Sequence, residues 1–154
     1  MPACIAVLSE STRIYPPVPT FNARSVPSGP GATIGSHHLP SGTVIHFNHY
    51  AAYHLSSNFT DPLTFAPERW LGDPRYENDN RDVLKPFAVG PRDCLGKNLA
   101  YAETRLVIAR LLWRFDLRMA EGGRRGLEEW FEKQKSYVLW QKPPLFVKVR
   151  RREG

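Results

Sequence analysis

Apolar residues Leu95, Leu99, Ala102, Leu106, Ala109 and Trp113 fall alternately four and three apart. That spacing is the stripe of an amphipathic helix, here ending near Arg114. Ala3 to Tyr15 carries a looser version, with Cys4, Leu8, Thr12 and Tyr15 on one face. Pro16-Pro17 closes it, because a proline disfavours helical backbone in the residue before it. Between the two helices, short β-prone runs alternate with turn residues. Phe21 to Val26, Ala32 to Ile34 and Thr43 to Phe47 read as strands, separated by Ser28-Gly29-Pro30-Gly31 and Pro40-Ser41-Gly42. Together they predict a small antiparallel sheet. Tyr50 to His54 fits one short helical turn, and Asp61-Pro62 opens the segment carrying Pro67 to Trp70. Gly72 to Lys85 is polar and aperiodic, the pattern of a loop. After the long helix, Phe115 to Met119 predicts a strand and Ala120 to Arg125 a turn region. Tyr137 to Trp140 and Leu145 to Val149 predict a terminal β-pair joined through Pro143-Pro144, with Trp130, Phe131 and Trp140 as packing residues. The class is α+β.

The 154 residues are enough for one domain with a core. Composition is that of an ordinary water-exposed chain, 42% hydrophobic and 23% charged, with mean hydropathy −0.41. No run approaches the roughly 20 apolar residues of a membrane span. Pro2 and Ala3 lead directly into the short run Cys4 to Leu8, without a signal-peptide pattern. Fourteen prolines and eleven glycines predict many loops. Two cysteines far apart do not make a disulfide framework, which points to a reducing compartment with Cys4 as a buried thiol. The net charge of +6 is spread along the chain apart from Arg150-Arg151-Arg152, and no RNA- or DNA-binding motif accompanies it. Nucleic acid is therefore not an expected partner. His37, His38, His46, His49 and His54 fit no zinc spacing. Asn58-Phe59-Thr60 satisfies a glycosylation sequon that a cytosol-facing chain would not use.

The chemistry concentrates at Phe87-Ala88-Val89-Gly90-Pro91-Arg92-Asp93-Cys94-Leu95-Gly96. Gly90 and Gly96 permit backbone that a Cβ would block, and Pro91 stiffens the turn between them. Cys94 sits at or just before a helix N-terminus, where unpaired N–H groups favour the thiolate over the thiol. Arg92 adds a fixed positive charge two residues away. A cysteine so placed suits metal binding through sulfur.

The spacing Phe87, Gly90, Arg92, Cys94, Gly96 resembles the haem-binding signature of the cytochrome P-450 family, the haem-thiolate monooxygenases. Two further motifs follow the family's order. Glu10-Ser11-Thr12-Arg13 before Tyr15-Pro16-Pro17 resembles its Glu-x-x-Arg helix, and Phe65-Ala66-Pro67-Glu68-Arg69-Trp70 its Pro-Glu-Arg-aromatic segment. Ala88 stands where the family usually has Ser, Gly, Asn or His. The style resembles fungal microsomal members, which often act on secondary metabolites or aromatic acids.

The resemblance implies the C-terminal part of a mainly helical fold. Its parts are the Glu-x-x-Arg helix, small antiparallel sheet, meander over residues 72–85, cysteine loop, long helix and terminal β-pair. Residues 1–154 would be one fragment of a single domain, with the N-terminal anchor and the distal helices absent. Those helices carry the family's acid–alcohol pair, so no catalytic residue is expected in this chain. Cys94 would ligate the iron of haem b (iron protoporphyrin IX), and Phe87 would pack beneath the ring. Arg92 would pair with a propionate, as would Arg24, since a guanidinium fork matches a carboxylate. Glu10 would sit between Arg13 and Arg69 as a structural ion triad. Val18, Pro19, Thr20 and Phe21, with Leu139 and Trp140 at the terminal tip, would line the pocket for a small organic substrate. Electrons would come from NADPH through a reductase docked on a basic proximal face that includes Lys97, Arg105 and Arg110. The family is usually anchored in the endoplasmic reticulum membrane facing the cytosol. A reading from another class is a non-catalytic remnant that folds partly and serves as a protein-interaction module.

Overall fold

The computed structural model describes residues 2–20, 23–120 and 123–152. They form two compact units, residues 1–86 and 87–154. The first begins with α1 (Pro2–Ile14), which packs on a 3-10 turn, Pro67–Trp70, and on α2 (His49–Tyr53). Helix α1 is covered on two sides. Leu8 is buried on the expected face, where Cys4, Thr12 and Tyr15 are half-buried, and Ala6, Glu10 and Arg13 are buried on the opposite one. The apolar pattern shows only the first side because the second is fastened by charges, described below.

The strands of this unit are β1 (Arg24–Ser25), β2 (Ala32–Ile34), β3 (His37–Leu39) and β4 (Val44–Ile45). They make two separate antiparallel pairs, β1 with β4 and β2 with β3, where the sequence predicts one sheet. Strand β3 is absent from the expectation, since His37-His38 lacks the β-branched signal. Pairing across the tight turn from Ile34 to His37 creates it. The expected strand from Phe21 begins outside the described residues and is seen only at Arg24–Ser25. Helix α2 starts one residue before the expected Tyr50 because Asn48 caps it, Oδ1 accepting the Ala51 N–H at 2.9 Å. Residues 72–85 are not a plain loop. They hold two more 3-10 turns, Pro74–Tyr76 and Arg81–Val83, too short to leave a periodic trace. The first is set by Pro74 and by Asp73, whose side chain accepts the Arg75 N–H. The apolar core is small, comprising Ala6, Leu8, Val26, Ala52, Tyr53, Phe59, Ala66 and Tyr76. Glu10, Arg13, Arg69 and Asp79 are buried among them.

The second unit contains a 3-10 turn, Gly90–Arg92, then α3 (Lys97–Arg114), β5 (Phe115–Met119) and α4 (Gly123–Glu132). Strands β6 (Lys135–Ser136), β7 (Trp140–Gln141) and β8 (Val147–Arg151) follow. The terminal pairing departs from the expectation. β8 pairs antiparallel with β5, from Phe115↔Arg151 to Met119↔Val147, and β7 pairs with β6. Asp116 reinforces the first pair by accepting from Arg150 at 3.0 Å and Arg152 at 2.9 Å. The region expected as a turn runs into α4 from Gly123, because its glycines hide the helical spacing of Leu127, Trp130 and Phe131. The Trp130 indole N–H donates to the Pro143 carbonyl at 2.8 Å and fixes α4 to the terminal segment. Phe131 and Trp140 stand 6.1 Å apart, in keeping with packing roles. Helix α3 buries none of its residues, and Trp113 is 81% exposed.

Candidate functional site

The cysteine loop is built by its backbone. Ala88 (φ 58°) and Gly90 (φ 80°) are both in the left-handed region, natural for glycine and costly for alanine. They fold the chain into the turn Gly90–Arg92, where Pro91 needs no N–H partner and the Asp93 N–H returns to the Gly90 carbonyl at 3.0 Å. The Cys94 N–H then donates to the Phe87 carbonyl at 2.9 Å, closing the loop. Gly96 caps α3, which starts at Lys97, so Leu95 precedes the helix and is fully exposed. The Cys94 thiol is exposed. The expectation that a Cβ would be blocked holds at Gly90 and not at Gly96, whose φ of −82° suits any residue and whose added Cβ would make only an ordinary contact with Cys94 Sγ at 3.8 Å. The Phe87 ring packs on Tyr101 at 5.0 Å, and Arg92 lies exposed in the turn. The structure thus gathers Phe87, Gly90, Arg92, Cys94 and Gly96 within one loop.

Other expected residues are placed less tightly. Arg24 is exposed on β1, with Nη1 donating to the Ala23 carbonyl at 3.2 Å. Val18 and Thr20 are half-buried, whereas Pro19 is fully buried and its carbonyl accepts the Tyr50 N–H at 2.9 Å. Phe21 lies outside the described residues. In the second unit, Leu139 is exposed and Trp140 half-buried. Lys97, Arg105 and Arg110 are exposed on α3, Arg105 lying over the Tyr101 ring at 5.3 Å. At about 100° per residue, Lys97 and Arg105 share a face, and Arg110 falls about 140° from both. The histidines hold no metal cluster: among the described residues, no group of three or more His, Cys, Asp or Glu is disposed to bind one. Cys4 is only half-buried. The Asn58 amide in the sequon donates to the Ala52 carbonyl at 2.8 Å.

The ion triad is present, and it is larger than three residues. Arg13 grips Glu10 side-on with two parallel bonds, Nε to Oε2 at 2.9 Å and Nη2 to Oε1 at 2.8 Å. Arg69 Nε reaches the same Oε1 at 3.1 Å. The Ala66 N–H and the Trp70 indole N–H each add a bond at 2.9 Å. All three charged side chains are fully buried. Burial alone pushes the Glu10 carboxyl up. The Arg13, Ala66 and Trp70 hydrogen bonds and the Arg13 charge outweigh it, and the net position is below the ordinary carboxylate value. Arg13 also donates to the Tyr53, Pro62 and Thr64 carbonyls at 2.9, 2.7 and 3.0 Å, tying α1 to the segment that follows α2. Arg69 makes a second buried ion pair with Asp79, a residue absent from the sequence expectation. Nothing distinguishes Asp79 from Asp73 or Asp82 in that polar run.

Comparison with known proteins settles the lineage. A cytochrome P-450 family model matches residues 1–149. The chain belongs to the cytochrome P-450 family. This cytochrome P-450 chain is 50% identical over 150 residues to the cytochrome P-450 monooxygenase lcsI of Purpureocillium lilacinum, which covers 97% of the chain and 28% of that protein. It is 45% identical over 143 residues to the trichothecene C-15 hydroxylase of Fusarium sporotrichioides, covering 92% of the chain and 28% of the relative. A retinoic acid-bound cyanobacterial member superposes with a TM-score of 0.78 at 26% identity, over 98% of this chain and 33% of the other. The chain therefore spans under a third of the length of these relatives. The fold is a portion of the cytochrome P-450 fold, mixing helices with small antiparallel sheets. Among the described residues, no helix is long and apolar enough to cross a membrane.

Proposed function

We propose that residues 1–154 are the cysteine-bearing C-terminal part of a single haem-thiolate monooxygenase domain, in which Cys94 would hold the iron of haem b through its sulfur. One observation carries this reading. The loop closes through the Cys94 N–H on the Phe87 carbonyl and leaves the cysteine exposed. A buried structural cysteine is inert, whereas an exposed one is open to a metal. The residues present fit the group. Cys94 would offer a soft sulfur ligand and Arg92, in the adjoining turn, a guanidinium for a propionate, while Gly90 takes the left-handed backbone that shapes the loop and Gly96 caps the helix that follows. The resemblance would give Phe87 to packing beneath the group and Arg24 to a second propionate. When bound, thiolate-ligated haem supplies the oxygen-activating chemistry by which the family inserts one atom of O₂ into an organic substrate.

Within that reading, the resemblance would assign a small organic substrate to Val18, Pro19 and Thr20, and to Leu139 and Trp140. Lys97 and Arg105 belong to the face that receives an NADPH-dependent reductase. The family's proton-delivering pair would lie on helices in the part of the relatives' length that these residues do not span. The exposure of Leu99, Leu106 and Trp113 supports this, because apolar area of that kind is what the rest of a domain covers. The same exposure favours the rival reading of a partly folded, non-catalytic interaction module. A reduced, carbon-monoxide difference spectrum of the chain with added haem separates the two. A thiolate-type Soret band, lost in Cys94→Ser, is expected, and no haem uptake would refute the proposal.

A further inference from the structure

Arg69 faces two carboxylates. Its Nε donates to Glu10 at 3.1 Å, its Nη1 to Asp79 and to the Thr60 carbonyl, and its Nη2 to the Thr60 and Asp61 carbonyls. Each of the five guanidinium N–H groups therefore has an acceptor. Asp79 is equally committed, Oδ2 to Arg69 and Oδ1 to the Thr60 N–H at 2.7 Å. The Tyr76 ring lies under the Arg69 guanidinium at 4.3 Å, and the Asp79 N–H donates to the Tyr76 carbonyl at 3.2 Å.

We propose that Asp79 is the buried counter-ion that completes a charge-balanced tetrad with Glu10, Arg13 and Arg69, and that it positions Arg69 for Glu10. The reason is electrostatic. The side chains of all four are fully buried. Glu10 alone between two guanidiniums would leave one positive charge uncompensated in a region shut off from water, the arrangement proteins avoid most strongly. Asp79 brings the cluster to neutrality. It also anchors the Arg69 fork from the side opposite Glu10, so that Nε is presented to Oε1. The chain between Thr60 and Asp79 is thereby closed on itself and on α1 before it runs on towards the cysteine loop.

The test compares Asp79→Asn, Arg69→Gln and the double variant, by urea unfolding of the haem-free full chain followed by circular dichroism. Asn retains an oxygen for the Thr60 N–H and removes only the charge. Each single variant is expected to raise the unfolding equilibrium constant on the order of 100-fold or more. The double variant, again neutral, is expected to be at least about tenfold more stable than Arg69→Gln alone, an outcome that lost packing or a lost hydrogen bond does not produce. A cooperative transition in the double variant where Arg69→Gln has none also supports the proposal. A double variant no more stable than Arg69→Gln, or Asp79→Asn within about threefold of the parent, overturns it. A consequence for haem rests on the preceding reading: Asp79→Asn takes up less haem at a given concentration and the double variant recovers it. Since the unfolding data need no haem, failure of the tetrad and failure of Cys94 ligation are seen separately.

Discussion

Replacing Arg13 by methionine is the sharpest perturbation of the first unit. The guanidinium is fully buried and serves five acceptors, both Glu10 oxygens and the Tyr53, Pro62 and Thr64 carbonyls. Its face also lies 5.1 Å from the Phe59 ring. Methionine fills much of the volume and supplies no donor. Breaking a buried pair by removing one partner costs about 3–5 kcal/mol, because the remaining charge is left uncompensated. Glu10 keeps Arg69, Ala66 and Trp70, which pulls the estimate to the lower end. The three carbonyls, each about 1 kcal/mol or more when orphaned, restore it towards the upper end. A loss of about 4 kcal/mol is therefore expected, a large part of the 5–15 kcal/mol typical of a domain. Urea unfolding followed at the helical circular-dichroism signal reads it directly. Arg13→Lys keeps the charge without the fork and should lose about half as much. A loss below about 1 kcal/mol for Arg13→Met, the scale of an exposed pair, would refute the buried-cluster account.

Other consequences can be checked alongside. Glu10→Ala is expected to abolish haem incorporation, read as loss of the Soret band, and a normal haem spectrum in that variant would contradict the role given to the cluster. The Glu10 carboxyl lies below its ordinary value of 4.5 in the folded chain, so its contribution is full above about pH 4.5 and fades as pH falls further; the acid limb of a stability–pH curve should shrink in Glu10→Ala. Burial lowers His49 below its ordinary 6.5 despite the raising effect of the Val18 and Lys85 carbonyls. The unfolded chain therefore binds the extra proton first, and stability should decline below about pH 6.5, less steeply in His49→Phe. Some slope should persist from His54, lowered chiefly by burial as well. Ala88→Gly relieves a left-handed alanine worth about 1–2 kcal/mol at the expense of about 0.5–1 kcal/mol of glycine entropy, so Tm should rise slightly; a fall would show that the loop does not need that backbone.

Local signals were sufficient for much of this protein. The stripe from Leu99 to Trp113 predicts α3, and Pro16-Pro17 marks the end of α1. The cysteine loop was readable for the same reason: Gly90, Pro91 and the helix start that follows are properties of neighbouring residues, and they hold whatever surrounds them. Glu10 and Arg13, three apart on one helix, announce a pair, and the family motifs supply Arg69.

What only the tertiary structure decided is long-range. Arg69 lies 59 residues from Glu10, and Asp79 joins it from a run of otherwise equivalent acids. Burial turns these charges into the centre of the unit, on the side of α1 opposite the one its apolar spacing marks. Strand partners were decided in the same way. Leu145 to Val149 is β-prone in any setting, yet its pairing with Phe115–Met119 depends on where α4 and Pro143 carry the chain. Backbone propensity is written in adjacent residues, whereas the energy of a buried charge or a strand ladder depends on groups the chain brings together only once it has folded.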